Sequence, residues 1–142
     1  MNQKVKIRLR TYMVTEEPSG ETDEAFYTAK YLQFKDHSLL TYEENAEQMK
    51  IRTILNIHNQ GWAQLQRRGP EQSYSILFRP EETTDVTMHT MYGDLPMQVR
   101  TDSVSWTREA EGLQLTVFYE MFSQGESVGE HVMQLTVMEL QE

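Results

Sequence analysis

No cysteine occurs among the 142 residues. That absence removes disulfides, thiolate nucleophiles and cysteine-ligated zinc, although it names no compartment. Long apolar runs are missing too. Nothing approaches the length of a membrane span, and the opening MNQKVKIRLR lacks the apolar core of a signal peptide. A soluble, cytoplasmic protein with no membrane partner is expected. Positive charge is scarce: Lys and Arg number 13 against 22 Asp and Glu, for a net charge of -9. An acidic body repels phosphate backbones, which argues against nucleic acid as a partner, the duplex above all. Lys4, Lys6, Arg8 and Arg10 interleave with Val5, Ile7 and Leu9. That alternation predicts a half-buried strand whose charged outer face is held by cross-strand pairing to acidic neighbours.

Apolar content is modest for a chain long enough to bury a core, at 38% hydrophobic residues and a mean hydropathy of -0.65. Either the surface is very polar or part of the interior is. Helical periodicity is all but absent, with one turn conceivable at 43–49. Period-2 patterns fill the chain instead: Lys4–Val14, Ala25–Phe34, Leu39–Glu44, Lys50–His58, Trp62–Arg68 and Tyr74–Arg79, then Val86–Ser103, Gly112–Ser123 and Ser127–Leu140. In Ala25–Phe34 both alternation sets hold apolar residues, so its inward face is ambiguous. EEPSGETDE reads as a polar connection turning at Pro18-Ser19-Gly20.

Three hairpins can be registered. In VTMHTMYGDLPMQVRTDS, a II′ turn at Gly93-Asp94 pairs Tyr92 with Leu95, Thr90 with Met97, Met88 with Val99 and Val86 with Thr101, all on one face. Pro96 cannot donate to a ladder and marks a bulge or an unpaired edge. Asn59-Gln60-Gly61 pairs His58 with Trp62 and places Thr53 opposite Arg67. Gln124-Gly125-Glu126 pairs Tyr119 with His131 and sets Glu120 against Glu130. About eight to ten short-looped antiparallel strands in one domain, 1–142, predict an all-β, up-and-down meander closed into a barrel.

Leu40-x-Tyr42-Glu43-Glu44, Lys50-x-Arg52-Thr53, Arg67-x-Gly69 and Tyr92-Gly93-x-Leu95 with Thr101, in that order and spacing, resemble the YwiB-like family. These are small bacterial calycin-like (lipocalin-like) β-barrels, a domain of unknown function. The resemblance runs over roughly Leu39 to Val104 and more loosely to the end. It departs at Lys30, where the family tends to have glycine. It implies a closed barrel with a central cavity, and no ligand or reaction.

The chemical motifs are few. Gly125-Glu126-Ser127-Val128-Gly129 matches a nucleophile elbow, but strand patterns flank it on both sides and no helix follows, which favours a hairpin turn. His37, His58, His89 and His131 lack metal-ligand spacing; only His131 faces inward, beside Tyr119. Met88, Met97, Met121 and Met133 all fall inward, as core filling or as an adaptable cavity lining. Arg67 is the sharpest residue, because a charge on an apolar face must be paired or reach water. It either closes an internal bridge to Glu44 or waits for a ligand, with Tyr42, Glu44, Thr53, Thr101 and Tyr92 as orienting groups. The favoured function is therefore a non-enzymatic barrel binding a small amphipathic or anionic molecule, with no metal or cofactor. The alternative is a homodimer through an exposed face of Phe118, Phe122, Val128 and Val132.

Overall fold

Ten strands alternate inward and outward all round a closed ring. The computed structural model describes residues 2–14, 22–46, 49–109 and 112–139. The strands are β1 (Asn2–Met13), β2 (Thr22–Gln33), β3 (His37–Ala46), β4 (Met49–His58), β5 (Trp62–Arg68), β6 (Gln72–Phe78), β7 (Thr83–Thr90), β8 (Gly93–Glu109), β9 (Gly112–Ser123) and β10 (Glu126–Glu139). Each pairs antiparallel with the next, and β1 also pairs with β10, which closes the barrel. The expected helical turn at 43–49 is absent from its described part, since β3 runs on through Ala46 and β4 begins at Met49. The Pro18-Ser19-Gly20 turn lies outside the described residues.

Closure resolves the ambiguity in β2. Val5 pairs with Ala29 and Ile7 with Tyr27, so Ala25, Tyr27, Ala29 and Tyr31 share the inner face. Phe26, Thr28, Lys30 and Leu32 point out. Small and large side chains alternate on that inner face, which suits the taper of a small barrel.

The packing differs between the two ends. Toward one, Val5, Ile7, Leu40, Leu55, Ile57 and Phe78 are buried in a single cluster with Leu115, Leu135 and Val137. Toward the other, inward residues such as Tyr27, Arg67, Tyr74, Met121 and His131 stay half-buried. The barrel is a cup with a packed aliphatic floor and a partly open polar end. Of the inward methionines, Met133 is buried in the core, while Met97 and Met121 pack against it half-exposed.

Two hairpin registers stand as expected. His58 opposes Trp62 and Thr53 opposes Arg67. Tyr119 opposes His131 and Glu120 opposes Glu130. In the second, the loop is one residue shorter than expected: Ser123 pairs with Glu126 around Gln124 and Gly125, both at positive φ. A bulge between Ser127 and Gly129 then restores the register. Ser127 is a strand residue whose hydroxyl donates to Glu120 Oε2 at 2.7 Å, so the elbow pattern is not an elbow.

The β7–β8 register differs from the expected one. Thr90 pairs with Gly93, Met88 with Leu95 and Val86 with Met97, so Met91 and Tyr92 form the loop. Gly93 supplies its positive φ of 125° at the exit of the turn rather than inside it. The slip is two residues in the turn's position, so the faces survive and only the partners change. Tyr92 moves most: it stands at the tip, 98% exposed, and not on the inner face. The tip also overhangs the barrel, because β8 meets β9 only from Gln98 onward. Pro96 therefore sits in the ladder with Thr87 on one side and on an edge on the other.

Gly129 has a φ of 131°, and a Cβ built there would lie 2.9 Å from Met13 Cε. Gly129→Ala should lose about 1–3 kcal/mol of stability in urea unfolding; wild-type stability in that variant would contradict the bulge geometry.

Candidate functional site

The polar end of the cup is built by neighbouring strands of one wall. Tyr42 and Glu44 are inward positions of β3, Thr53 lies across from Tyr42 on β4, and Arg67 lies across from Thr53 on β5. Arg67 Nη2 donates to Glu44 Oε2 at 2.6 Å, their side chains 33% and 14% exposed. Arg67 therefore has its internal carboxylate partner. Burial opposes its charge, but the Tyr74 hydroxyl and the Glu44 carboxylate outweigh that and hold its pKa above the ordinary range. Tyr27 stacks on Tyr42 with ring centroids 4.9 Å apart. Burial, then the nearby Glu44 charge, raises the pKa of both phenols, so both keep their protons at neutral pH.

A second polar group lines the facing wall. Thr101 on β8 is fully buried opposite Tyr119 on β9, and Tyr119 stacks on His131 of β10 at 5.4 Å. Burial pushes the Tyr119 phenol up to about 12 and holds the His131 imidazole below its ordinary range. The walls meet where the Phe78 ring lies 5.0 Å from that of Tyr119. Three polar atoms buried along these inner walls have no hydrogen-bond partner among the described residues: Arg67 Nε, Thr101 Oγ1 and His131 Nε2. The Thr53 hydroxyl has that of Tyr42 as its partner.

The structure thus gathers Arg67, Glu44, Tyr42 and Thr53, sets Thr101 on another strand group and leaves Tyr92 outside. Sequence reasoning missed Tyr27 because the face of β2 was ambiguous. It aligned Tyr74 inward without linking it to Arg67, although the two are ladder partners. The outward patch is also smaller than expected. Val132 is only 1% exposed, flanked in the ladders by Tyr12 and Phe118, whereas Phe118 and Val128 are exposed. Among the described residues, no group of three or more His, Asp or Glu is arranged to hold a metal ion.

The wall has a slot beside Arg67. β6 and β7 pair only through Gln72–Thr90 and Ser73–His89. Farther along, the Thr84 hydroxyl bonds the Leu77 carbonyl at 2.8 Å in place of a main-chain rung. Over this seam lies a groove of about 580 Å³, lined by outward Ser73, Ser75 and Thr87 and by inward Arg67 and Tyr74.

The family profile of a domain of unknown function, DUF1934, matches residues 7–135. No curated protein matches the chain significantly. Among solved structures, the crystal structure of the ywiB protein from Bacillus subtilis is similar, with a TM-score of 0.83 at 18% identity over 99% of this chain and 94% of that one. At that identity the likeness establishes the barrel and nothing finer.

Removing one partner of the Arg67–Glu44 pair strands the other. Glu44→Ala should cost about 1–3 kcal/mol, while Glu44→Leu/Arg67→Met should regain most of it, as read from urea midpoints. His131 makes a pH prediction. Its folded-state pKa lies below the unfolded 6.5, so the unfolded chain takes up a proton that the folded chain refuses. The stability it contributes is full above about pH 7 and is lost as pH falls through its lowered range. His131→Gln should flatten the decline between about pH 7 and pH 5 relative to wild type; parallel declines would count against a buried neutral ring.

Proposed function

Because the chain belongs to the DUF1934 family, whose function is unknown, we propose from its own geometry that it is a non-enzymatic binding protein taking a small amphipathic molecule into the polar end of its barrel. The observation that carries this is the set of three buried polar atoms, Arg67 Nε, Thr101 Oγ1 and His131 Nε2, that lack a partner among the described residues, on inner walls where other side chains are half-exposed. Buried polar atoms are nearly always satisfied, and those left over inside a partly open cup are what a guest's polar head would satisfy. Half-exposed Met97 and Met121, with Tyr27 and Tyr74, supply adaptable apolar surface for the rest of it.

Glu44 bears on the head group. Its carboxylate already answers Arg67, so the pair is close to neutral as a unit. An uncharged head with hydroxyl or carbonyl groups fits it better than a carboxylate or phosphate, which would have to displace Glu44. Tyr119 and His131 are not arranged as an acid–base pair, since they lie ring on ring, an arrangement that passes no proton between them. The dimer alternative is weakened, since the loss of Val132 leaves Phe118, Phe122 and Val128. Three such residues offer far less than the roughly 1,200–2,000 Å² that stable interfaces bury.

Medium-chain fatty alcohols and the matching fatty acids provide the test, by thermal shift and native mass spectrometry. The alcohols should raise the melting temperature more than the acids, and Glu44→Gln, which removes the competing carboxylate, should narrow the difference. No stabilisation by either series, together with no co-purifying small molecule, would sink the proposal. The seam between β6 and β7 gives a kinetic prediction. Thr87→Trp, which places a large ring over the groove, should slow both uptake and release of a fluorescent alcohol by stopped flow while leaving its Kd unchanged.

A further inference from the structure

The net charge of -9 hides an uneven distribution. On the outer face of β1 stand Lys4, Lys6, Arg8 and Arg10. The outer faces of β2, β4 and β5 add Lys30, Lys50, Arg52 and Arg68. These eight are most of the chain's 13 cations. Among the described residues of the same faces, with that of β3, the only acids are Glu24 and Glu43. Many other acids sit in turns and at strand ends, among them Asp36, Glu71, Glu81, Glu82, Asp94 and Glu126. The sequence had predicted that acidic neighbours would pair with the β1 cations. Among the described residues only Arg10 is so paired, with Glu24 at 3.5 Å. Lys4 lies opposite Lys30, Lys6 opposite Thr28, and Arg8 opposite Phe26, with no protein partner for Arg8 Nε.

Like charges directly opposite one another on a sheet are destabilising, so the Lys4–Lys30 pair is a local cost that the fold itself does not require. A second feature accompanies it. Phe26 is 51% exposed in the middle of this face, with the Lys6 ammonium 5.4 Å from its ring centroid. Next to it, Lys4, Lys30, Thr41, Asn45 and Arg52 line a groove of about 800 Å³, together with one acid, Glu43, which lies across the ladder from Arg52. Alternate positions on a strand repeat every ~6.7 Å, a spacing of the order of one extended nucleotide. Cations in a row beside an open aromatic face are the parts of a single-strand platform, in which phosphates meet the charges and a base stacks on the ring. The acidic remainder repels the wider, stiffer duplex.

We infer that the outer face of β1 to β5 binds single-stranded nucleic acid, with Lys4, Lys30 and Arg52 on phosphates and Phe26 under a base. Fluorescence anisotropy with a labelled oligoadenylate tests this on the full chain, with the matching DNA duplex and phosphatidylserine vesicles alongside. Wild type should bind the oligoadenylate with an affinity that falls steeply with salt, and the duplex more weakly. Lys4→Glu/Lys30→Glu should lose at least tenfold in affinity and make the log–log salt slope shallower by about 1.4, at roughly 0.7 per phosphate contact. Phe26→Ala should weaken binding about fivefold or more with the slope unchanged. Should the double variant fail to fold by thermal melt, Arg52→Glu reads the same contact at an exposed position. Failure of wild type to bind at low salt, unchanged affinity in the charge-reversal variants, or binding to the vesicles but not to the oligoadenylate would each overturn the inference.

Discussion

The ladder between β1 and β10 is the constraint on which the rest depends. Without it, β1 and β10 would be the free edges of a curled sheet, and Val5, Ile7, Leu135 and Val137 would face solvent at that seam. With it, every strand has a neighbour on each side and the inward half of each alternation shares one enclosed volume. Ring closure also decides matters that lie far from it. It fixes which face of β2 is inner, and so brings Tyr27 onto Tyr42 beside the Arg67–Glu44 pair.

Much of this barrel could be read from its residues because period-2 alternation is a strong signal when one face is buried. The β4–β5 and β9–β10 partners followed from a glycine-bearing turn between two alternating runs; the first ladder stands as read, and the second does so beyond the bulge after Ser127. The β7–β8 ladder had the same two signals and slipped. Glycine marks where φ is positive, but a glycine at the exit of a turn and a glycine inside it look alike in sequence. Since the slip kept the parity, Thr101 stayed inward, while Tyr92, read as a wall residue, became the tip. The Arg67–Glu44 bridge was legible because a cation on an apolar face calls for one partner and few inward acids were available. Tyr27 and the β6–β7 slot were not legible. The first depends on closure, and the second on two strands parting, which no local pattern records.

Charge was the quantity most easily misread. A single net value describes how a molecule behaves at distances well beyond its own size. At contact distance the relevant field is that of a face, and here cations alternate along one strand and recur on its neighbours while acids gather in the turns. The inner and outer surfaces of the same strands thus carry unrelated chemistry. β4 places Thr53 inside and Arg52 outside, one residue apart, so the barrel wall can serve an interior guest and an exterior partner without either constraining the other.

The overhanging β7–β8 tip has a consequence for how the protein behaves when crowded. A closed barrel has no free margin for another chain to extend, except where one strand outruns its neighbour. One such margin among the described residues is the far side of Leu95 to Met97, beyond the reach of β9. Leu95 is exposed there, the type of residue that seeds strand-to-strand aggregation. Pro96 sits at its centre and has no N–H to offer an incoming strand. The residue that interrupts the alternation of β8, the longest strand, is thus also what keeps this margin from being copied.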